Sequence, residues 1–417
     1  MMVDICMTPA QNSALLSELT NQANKAQALL TIGPQNALKG KKPIILANCD
    51  FMVEIPVAMG CYFSDLTLTG SSGTGLPNVD ELIDGGTALD IETRMCSAIK
   101  AGIYYMESRQ VVDPEMIIVT NTCCDAIDTL GKLMCAHKPW AHIPRFCVDS
   151  PHGTDEGSYA HLGRQLRQAV TFIEDVLGRK MDWDRLKAVC VESNKQSQLL
   201  MEFQELKKAV PCPAEPDLSR LGTEMARWMP DMAAAPETTE WLEQLVSCTE
   251  QRVREKRGID GVDEKIRFLW QDLAGSWAAG TVFKRLQQEL GAVMLMNYVS
   301  YGTWTPIDLS SEEEMFKSFA KRYVLEGAMT RQAAHNTDLY CDDILQIVKD
   351  FKCDAVVMPA HIGHHELNCR LKIVRDLCRD HGIPCLVLGM DIWDKRYMSP
   401  DVVYDRVKTF FEVTGLI

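Results

Sequence analysis

The strongest constraint on this chain is the regular punctuation of helical periodicity by short apolar runs. "KKPIILANCDF", "CYFSDLTL", "EMIIVTNT" and "PRFCVDSP" each hold a brief β-branched or aromatic run, and helical spacing lies between them. The alternation returns in "KIRFLWQDL", "AVMLMNYVSY", "CDAVVMPAH" and "IPCLVLGMD". Strands apolar on both faces and separated by helices belong to parallel sheets covered by helices on each side. Over 155–262 the strand signals stop, and "HLGRQLRQAVTFIEDVLGRKMDWDRLKAVCVESNKQSQLLMEFQELKKA" carries only helical spacing. The expected fold is α/β, with two Rossmann-like doubly wound parallel-sheet domains and a helical segment between them. The expected division is 1–40 for an N-terminal helical segment, 41–154 for the first α/β domain, 155–262 for the connecting helices and 263–417 for the second α/β domain. A length of 417 residues, too long for one ordinary core, agrees with two domains.

Composition narrows the function. The formal net charge of −14 gives a surface that repels phosphate backbones, so nucleic acid is not an expected partner. No run approaches the roughly 18 uncharged apolar residues of a membrane-spanning helix. The opening "MMVDICMTPAQNSALL" lacks the basic region and apolar core of an export signal, which sets the expectation of a cytoplasmic protein.

Sixteen cysteines are many for such a protein, and none are spaced as CxxC, so zinc-ribbon and thioredoxin readings are weak. The stretch "IIVTNTCCDAID" (117–128) places Cys123 and Cys124 side by side at the end of a strand. In open α/β sheets the ligand site lies beyond the carboxyl ends of the strands, where helix N-termini gather. That rule selects Cys49 after "IILAN", Cys96 early in its helix, Cys123 and Cys124, Cys341 in the first turn of "DLYCDDIL", and Cys369 after "HIGHHELN". Cys353 and Cys385 fall at strand starts, Cys190, Cys212 and Cys248 in the helical middle, and Cys378 at a helix–sheet contact. Cys61 and Cys135 are ambiguous, and Cys147, interior to a strand, reads as core. A lone strand-end cysteine is usually a small buried hydrophobe. Six thiols converging on one cleft from separate loops suit an iron–sulfur cluster.

Other candidates flank that cleft. His361, His364 and His365 of "HIGHHELN" are placed to donate protons or to hydrogen-bond cluster sulfur, against the alternative of a solvated loop. Asp391 ends the strand "VLGMD", and Arg331 lies in "MTRQAAHN", where an acidic partner would also account for it. "AGSWAAGT" has neither a Walker lysine nor GxGxxG order and reads as a tight strand-to-helix turn. "TGSSGTGLPN" (69–78) is Gly-rich without an evident following helix, so no nucleotide is expected on this chain.

The ordered set "IPVAMG", "MCSAIKAG", "TNTCCDAID", "RFCVDSPHGTDEGSYAHLGRQLRQAVTFIEDVLG" and "HHELNCRLKIVRDLCRDHGIPCLVLGMDIWDKRYMSPDVVYDRVKTFFEVTG" resembles the 2-hydroxyacyl-CoA dehydratase and benzoyl-CoA reductase superfamily over about residues 43–415. The likeness is to proteins of the 2-hydroxyglutaryl-CoA dehydratase D-component kind. It implies a cubane held by Cys96, Cys124 and Cys369, and single low-potential electrons supplied by a separate ATP-hydrolysing iron–sulfur activator. The extra thiols Cys49, Cys123 and Cys341 (or Cys147 in place of Cys341) make six, a count that resembles the double-cubane branch. The leading expectation from this resemblance is therefore a homodimeric low-potential reductase component with a double-cubane 8Fe–9S cluster acting on a small molecule. The alternatives are a 2-hydroxyacyl-CoA dehydratase or benzoyl-CoA reductase-type subunit with one 4Fe–4S cluster and an acyl-CoA substrate, and a non-catalytic electron-storage subunit.

Overall fold

The computed structural model describes residues 7–28, 39–49, 51–67, 79–122, 124–274, 277–297, 300–302, 305–326, 331 and 337–417. Cys123, the whole of "TGSSGTGLPN" and part of "AGSWAAGT" lie outside them. Two four-stranded sheets, parallel throughout, form the frame. Strands β1 (Ile44–Ala47), β2 (Tyr62–Asp65), β3 (Met116–Thr120) and β4 (Arg145–Val148) take the order β2-β1-β3-β4. Strands β5 (Ile266–Trp270), β6 (Ala292–Asn297), β7 (Ala355–His361) and β8 (Cys385–Met390) take the order β6-β5-β7-β8. The fold is thus α/β with two Rossmann-like parallel sheets of the same topology. Every residue of β1, β3 and β5 is buried, which is why these strands show no polar alternation.

In each sheet the strand order reverses between the two central strands, β1 and β3 in one, β5 and β7 in the other. At such reversals successive helices leave on opposite faces, and a crevice opens beyond the strand ends.

Helices Glu156–Leu177, Trp183–Leu206, Asp217–Arg227 and Pro236–Glu255 fill the middle of the chain. The side chain of Asp155 accepts from the Ser158 amide to start the first, and Gly178, at φ 64°, closes it in the left-handed conformation. The N-terminal helix Pro9–Ala28 packs Leu16, Leu19 and Ala23 into one core with Leu200, Phe203, Leu242 and Leu245. Helix Glu312–Glu326 returns from the second half of the chain and packs Phe316, Phe319 and Tyr323 against Ile45, Ile118, Leu162 and Leu166 of the first.

Two local expectations change. A helix, Val79–Ala88, does follow the Gly-rich stretch. Its Gly85 and Gly86 weaken the helical signal in sequence, yet a Cβ on Gly86 would stand 2.4 Å from the Lys100 carbonyl oxygen, so glycine permits close packing against helix Ser97–Glu107. Cys147, read as core, is exposed because β4 is an edge strand.

Lys207, fully buried after helix Trp183–Leu206, donates from Nζ to Ser219 Oγ at 2.8 Å. Burial is the main effect on its ammonium and pulls its pKa down to about 8. Between pH 8 and 10.5 the unfolded chain therefore binds more protons than the folded one, and stability attributable to this group rises with pH. Lys207→Met should stabilise the protein by about 1–3 kcal/mol at pH 7. The gain over wild type should shrink towards pH 10.5, as urea unfolding at several pH values would record. No gain at pH 7 would refute it.

Candidate metal centre

The exit of β3 is pinned by its own polar residues. Asn48, just past β1, donates from Nδ2 to the Thr120 and Ile127 carbonyls at 2.8 Å each and accepts from the Thr120 amide at 2.9 Å. A Cβ on Gly131 would lie 2.7 Å from Asn48 Nδ2, so only glycine lets helix Asp125–Ala136 approach this closely. The Tyr323 hydroxyl bridges Thr120 Oγ1 and Thr122 Oγ1 at 2.9 and 2.8 Å. Asn121 binds Asp149 and the Ser150 amide. The residues of "TNT" therefore hold the loop that presents Cys124.

Cys124 is the N-cap of helix Asp125–Ala136, and Cys96 is the N-cap of helix Ser97–Glu107. Both sulfurs belong to residues at positive helix ends, which favour thiolate and other anionic groups. Cys49, Cys96 and Cys124 are buried in one packed cluster with Leu46, Ile99 and Ile127. Burial, then the charges of Asp391 and Cys124, push the Cys96 thiol far above the ordinary thiol range. Such a thiol stays protonated unless a cation takes the proton's place.

The second sheet meets this place through the loop after β7. A Cβ on Gly363 would stand 2.3 Å from Cys96 Cα and 2.4 Å from its amide nitrogen, so the loop lies directly on the Cys96 backbone. Ser97 Oγ donates to Asp391 Oδ2, and Asp391 Oδ1 accepts from the Trp393 and Asp394 amides. His365 Nδ1 is 3.0 Å from Asp125 Oδ2, and Arg396 grips Asp84 with two bonds of 2.9 Å.

Cys96, His361 and His364 bring one sulfur and two ring nitrogens within 4.8 Å of one another, all buried. The Ile392 amide donates to His361 Nδ1 at 3.1 Å, which puts the ring proton on Nε2, and that buried nitrogen has no partner. Burial first, and the neighbouring His364 next, hold His361 well below the ordinary histidine range. His364 Nδ1 lies 3.1 Å from Asp272 Oδ2, with both side chains buried. Burial opposes the charged ring, but the Asp272 carboxylate outweighs it and raises His364 to about 9. Both carboxyl oxygens of Glu366 are buried without partners, and burial is the main cause that raises its pKa.

The other candidates are more dispersed. Cys369 ends the short helix His365–Asn368, is exposed, and its thiol donates to the Glu366 carbonyl at 3.1 Å. Cys341, in helix Thr337–Asp350, has Asp338, Asp342 and Arg370 as its charged neighbours and lies within electrostatic range of Cys378. Arg331 pairs with Asp343 at 2.7 Å. His365 is half exposed.

Sequence reasoning passed over Asp272 and Glu366. Asp272 was within reach of the strand-end rule, since it closes "IRFLWQD" as Cys49 closes "IILAN". Glu366 left no signal, because an acid beside a cysteine is ordinary on a polar loop.

An iron–sulfur group fits what is present. The buried donor set mixes thiols and imidazoles, two of the cysteines stand at helix N-cap positions, and orphaned polar atoms of His361 and Glu366 face no protein partner. Among the described residues no helix is long and apolar enough to cross a membrane.

A family model described as 2-hydroxyglutaryl-CoA dehydratase, D-component, matches residues 49–414. The chain is also similar to lactoyl-CoA dehydratase subunit alpha of Anaerotignum propionicum, at 22% identity over 320 residues, covering 72% of this chain and 69% of that subunit. A further similarity is to (R)-2-hydroxyglutaryl-CoA dehydratase subunit alpha of Acidaminococcus fermentans, at 19% identity over 316 residues, covering 72% of this chain and 60% of that subunit.

Proposed function

This chain belongs to the 2-hydroxyglutaryl-CoA dehydratase D-component family, and on that premise we propose that it is the iron–sulfur component of a two-component, ATP-dependent reductive system. A separate ATP-hydrolysing activator supplies single electrons, and a cluster held where the two sheets face each other passes them to a small-molecule substrate. The observation that carries this reading is the meeting of Cys49, Cys96 and Cys124 with the His361–His364 loop at the strand ends.

Cys96, Cys124 and Cys369 are the proposed cubane ligands. Cys49 shares the packed cluster of Cys96 and Cys124, and Cys123 adjoins Cys124 in sequence, so the thiols exceed the needs of one cubane. That surplus favours a double-cubane 8Fe–9S cluster, a homodimer and reductase chemistry. Cys341 is the proposed sixth ligand by count, half-buried with Asp338, Asp342 and Arg370 as its charged neighbours.

A second reading rests on the relatives, both named as dehydratase alpha subunits: one 4Fe–4S cluster and a 2-hydroxyacyl-CoA substrate. When bound, the cluster supplies one-electron reduction at low potential. The chain's own part is to cap it with two helix N-termini, exclude water with the apolar cluster around Leu46 and Ile99, and keep His361 neutral beside it.

Iron and acid-labile sulfide per chain, measured on anaerobically purified protein, test the proposal. About eight irons and nine sulfides mean the double cubane, and about four of each mean the dehydratase reading. Cys96→Ser and Cys124→Ser should each lower both counts by half or more, since each removes a ligand from the buried set. Absence of iron and sulfide from protein prepared anaerobically would reject both readings.

A further inference from the structure

We propose that His364 is a nitrogen ligand of the iron–sulfur cluster, with Asp272 as its positioning residue, so that ligation is mixed cysteine and histidine. The inference deepens the iron–sulfur reading and rests on it, and it holds for either cluster type.

The two imidazoles of one loop are set to opposite polarity by their partners. Asp272 follows β5, and its carboxylate is itself anchored, with Oδ1 accepting from the Leu273 amide at 2.6 Å. Its Oδ2 takes the Nδ1 proton of His364 at 3.1 Å, which leaves Nε2 as the nitrogen free to coordinate. A buried carboxylate behind the far nitrogen of an imidazole is the arrangement that fixes the tautomer and ring plane of metal-ligating histidines and raises their basicity. His361 receives the Ile392 amide on Nδ1, so its Nε2 carries hydrogen and can donate but not ligate. The rings meet edge to face at 4.6 Å and 89°, within the buried group they form with Cys96.

Position agrees with this division. Asp272 and His364 come from the ends of β5 and β7, the reversal of the second sheet, whereas Cys49 and Cys124 come from the reversal of the first. Cys96 is the meeting point, touched by Gly363 immediately before His364. His364 shares one buried group with Cys96, whereas Cys341 is half-buried among Asp338, Asp342 and Arg370, so His364 is better situated to complete a ligand set that Cys49, Cys96, Cys124 and Cys369 begin. Replacing a thiolate with neutral imidazole removes negative charge from the cluster and raises its reduction potential.

The test is pulsed electron paramagnetic resonance on the reduced holoprotein labelled with 15N-histidine, after iron and sulfide have been counted. A strong 15N hyperfine coupling is expected in wild type. It should be lost in His364→Cys, which keeps a ligand and the iron count, and that variant's potential should move to more negative values. Asp272→Asn should alter the coupling at unchanged iron content, and His361→Ala should leave it in place. A loaded cluster without a strong nitrogen coupling overturns this inference and leaves the iron–sulfur reading intact. Coupling that disappears with His361→Ala but survives His364→Cys also overturns it. Wild-type protein that takes up no iron and sulfide overturns both.

Discussion

Glu54→Ala is expected to lower the unfolding free energy by about 3–5 kcal/mol, because it strands a buried guanidinium. Arg322 is 0% exposed and Glu54 2%, with Arg322 Nη1 3.1 Å from Glu54 Oε1. Ser193 Oγ donates to the same carboxylate at 2.6 Å, and Arg322 also binds Ser193 Oγ, Asn194 Oδ1 and the Thr305 carbonyl. The group thus ties the helix after β1, the helix Trp183–Leu206 and the helix Glu312–Glu326 together. Removing one charge leaves the other desolvated with only dipoles around it, and that asymmetry makes the single substitution costly. Glu54→Leu combined with Arg322→Met removes both charges and should recover most of the loss. Urea unfolding of the wild type and both variants checks it. A cost below about 1 kcal/mol for Glu54→Ala would mean that water reaches the pair.

The second large effect belongs to Gly363. Alanine there would place a methyl within 2.3 Å of the Cys96 backbone, which cannot yield as a side-chain tip would. The loop and the helix start must separate, at an expected cost of about 3 kcal/mol. Because Cys96, His361 and His364 sit on the two separated segments, iron bound per chain should fall at least by half. Gly389→Ala is the matched control: a Cβ there meets nothing within 4 Å, and the change should stay within about 0.5 kcal/mol. Thermal unfolding and iron analysis on both variants decide the matter. Normal iron content in Gly363→Ala would show that the two sheets need not approach this closely to hold the cluster.

These expectations differ in how far the sequence announces them. The strands are legible because burial on both faces leaves uninterrupted apolar runs, as in "IIVT" and "IRFLW". Cys49, Cys124 and Asp391 are legible through a rule of topology, since parallel sheets open their crevices at carboxyl ends. Helix Val79–Ala88 was hidden because its paired glycines, poor helix formers in isolation, serve a close contact with a second helix. Cys147 was misjudged because a local run of apolar residues does not tell an edge strand from a central one.

The partnerships at the candidate centre have no local signature. Asp272 and His364 are 92 positions apart, and Ser97 and Asp391 are 294 apart. Neither residue type is unusual where it stands. Likewise the charges of Glu54 and Arg322 look like surface groups on amphipathic helices until helix Glu312–Glu326 is seen to cross into the core of the first sheet.

The periodicities, and through them the strands, the helices and the two parallel sheets, follow from the sequence alone. Only the tertiary structure decided which strand ends face each other, that Gly363 rests on Cys96, and that Asp272 stands behind His364. The physical reason is that periodicity is set by each segment's own burial, whereas a site is made by contacts between segments distant in sequence, whose residues carry no trace of one another.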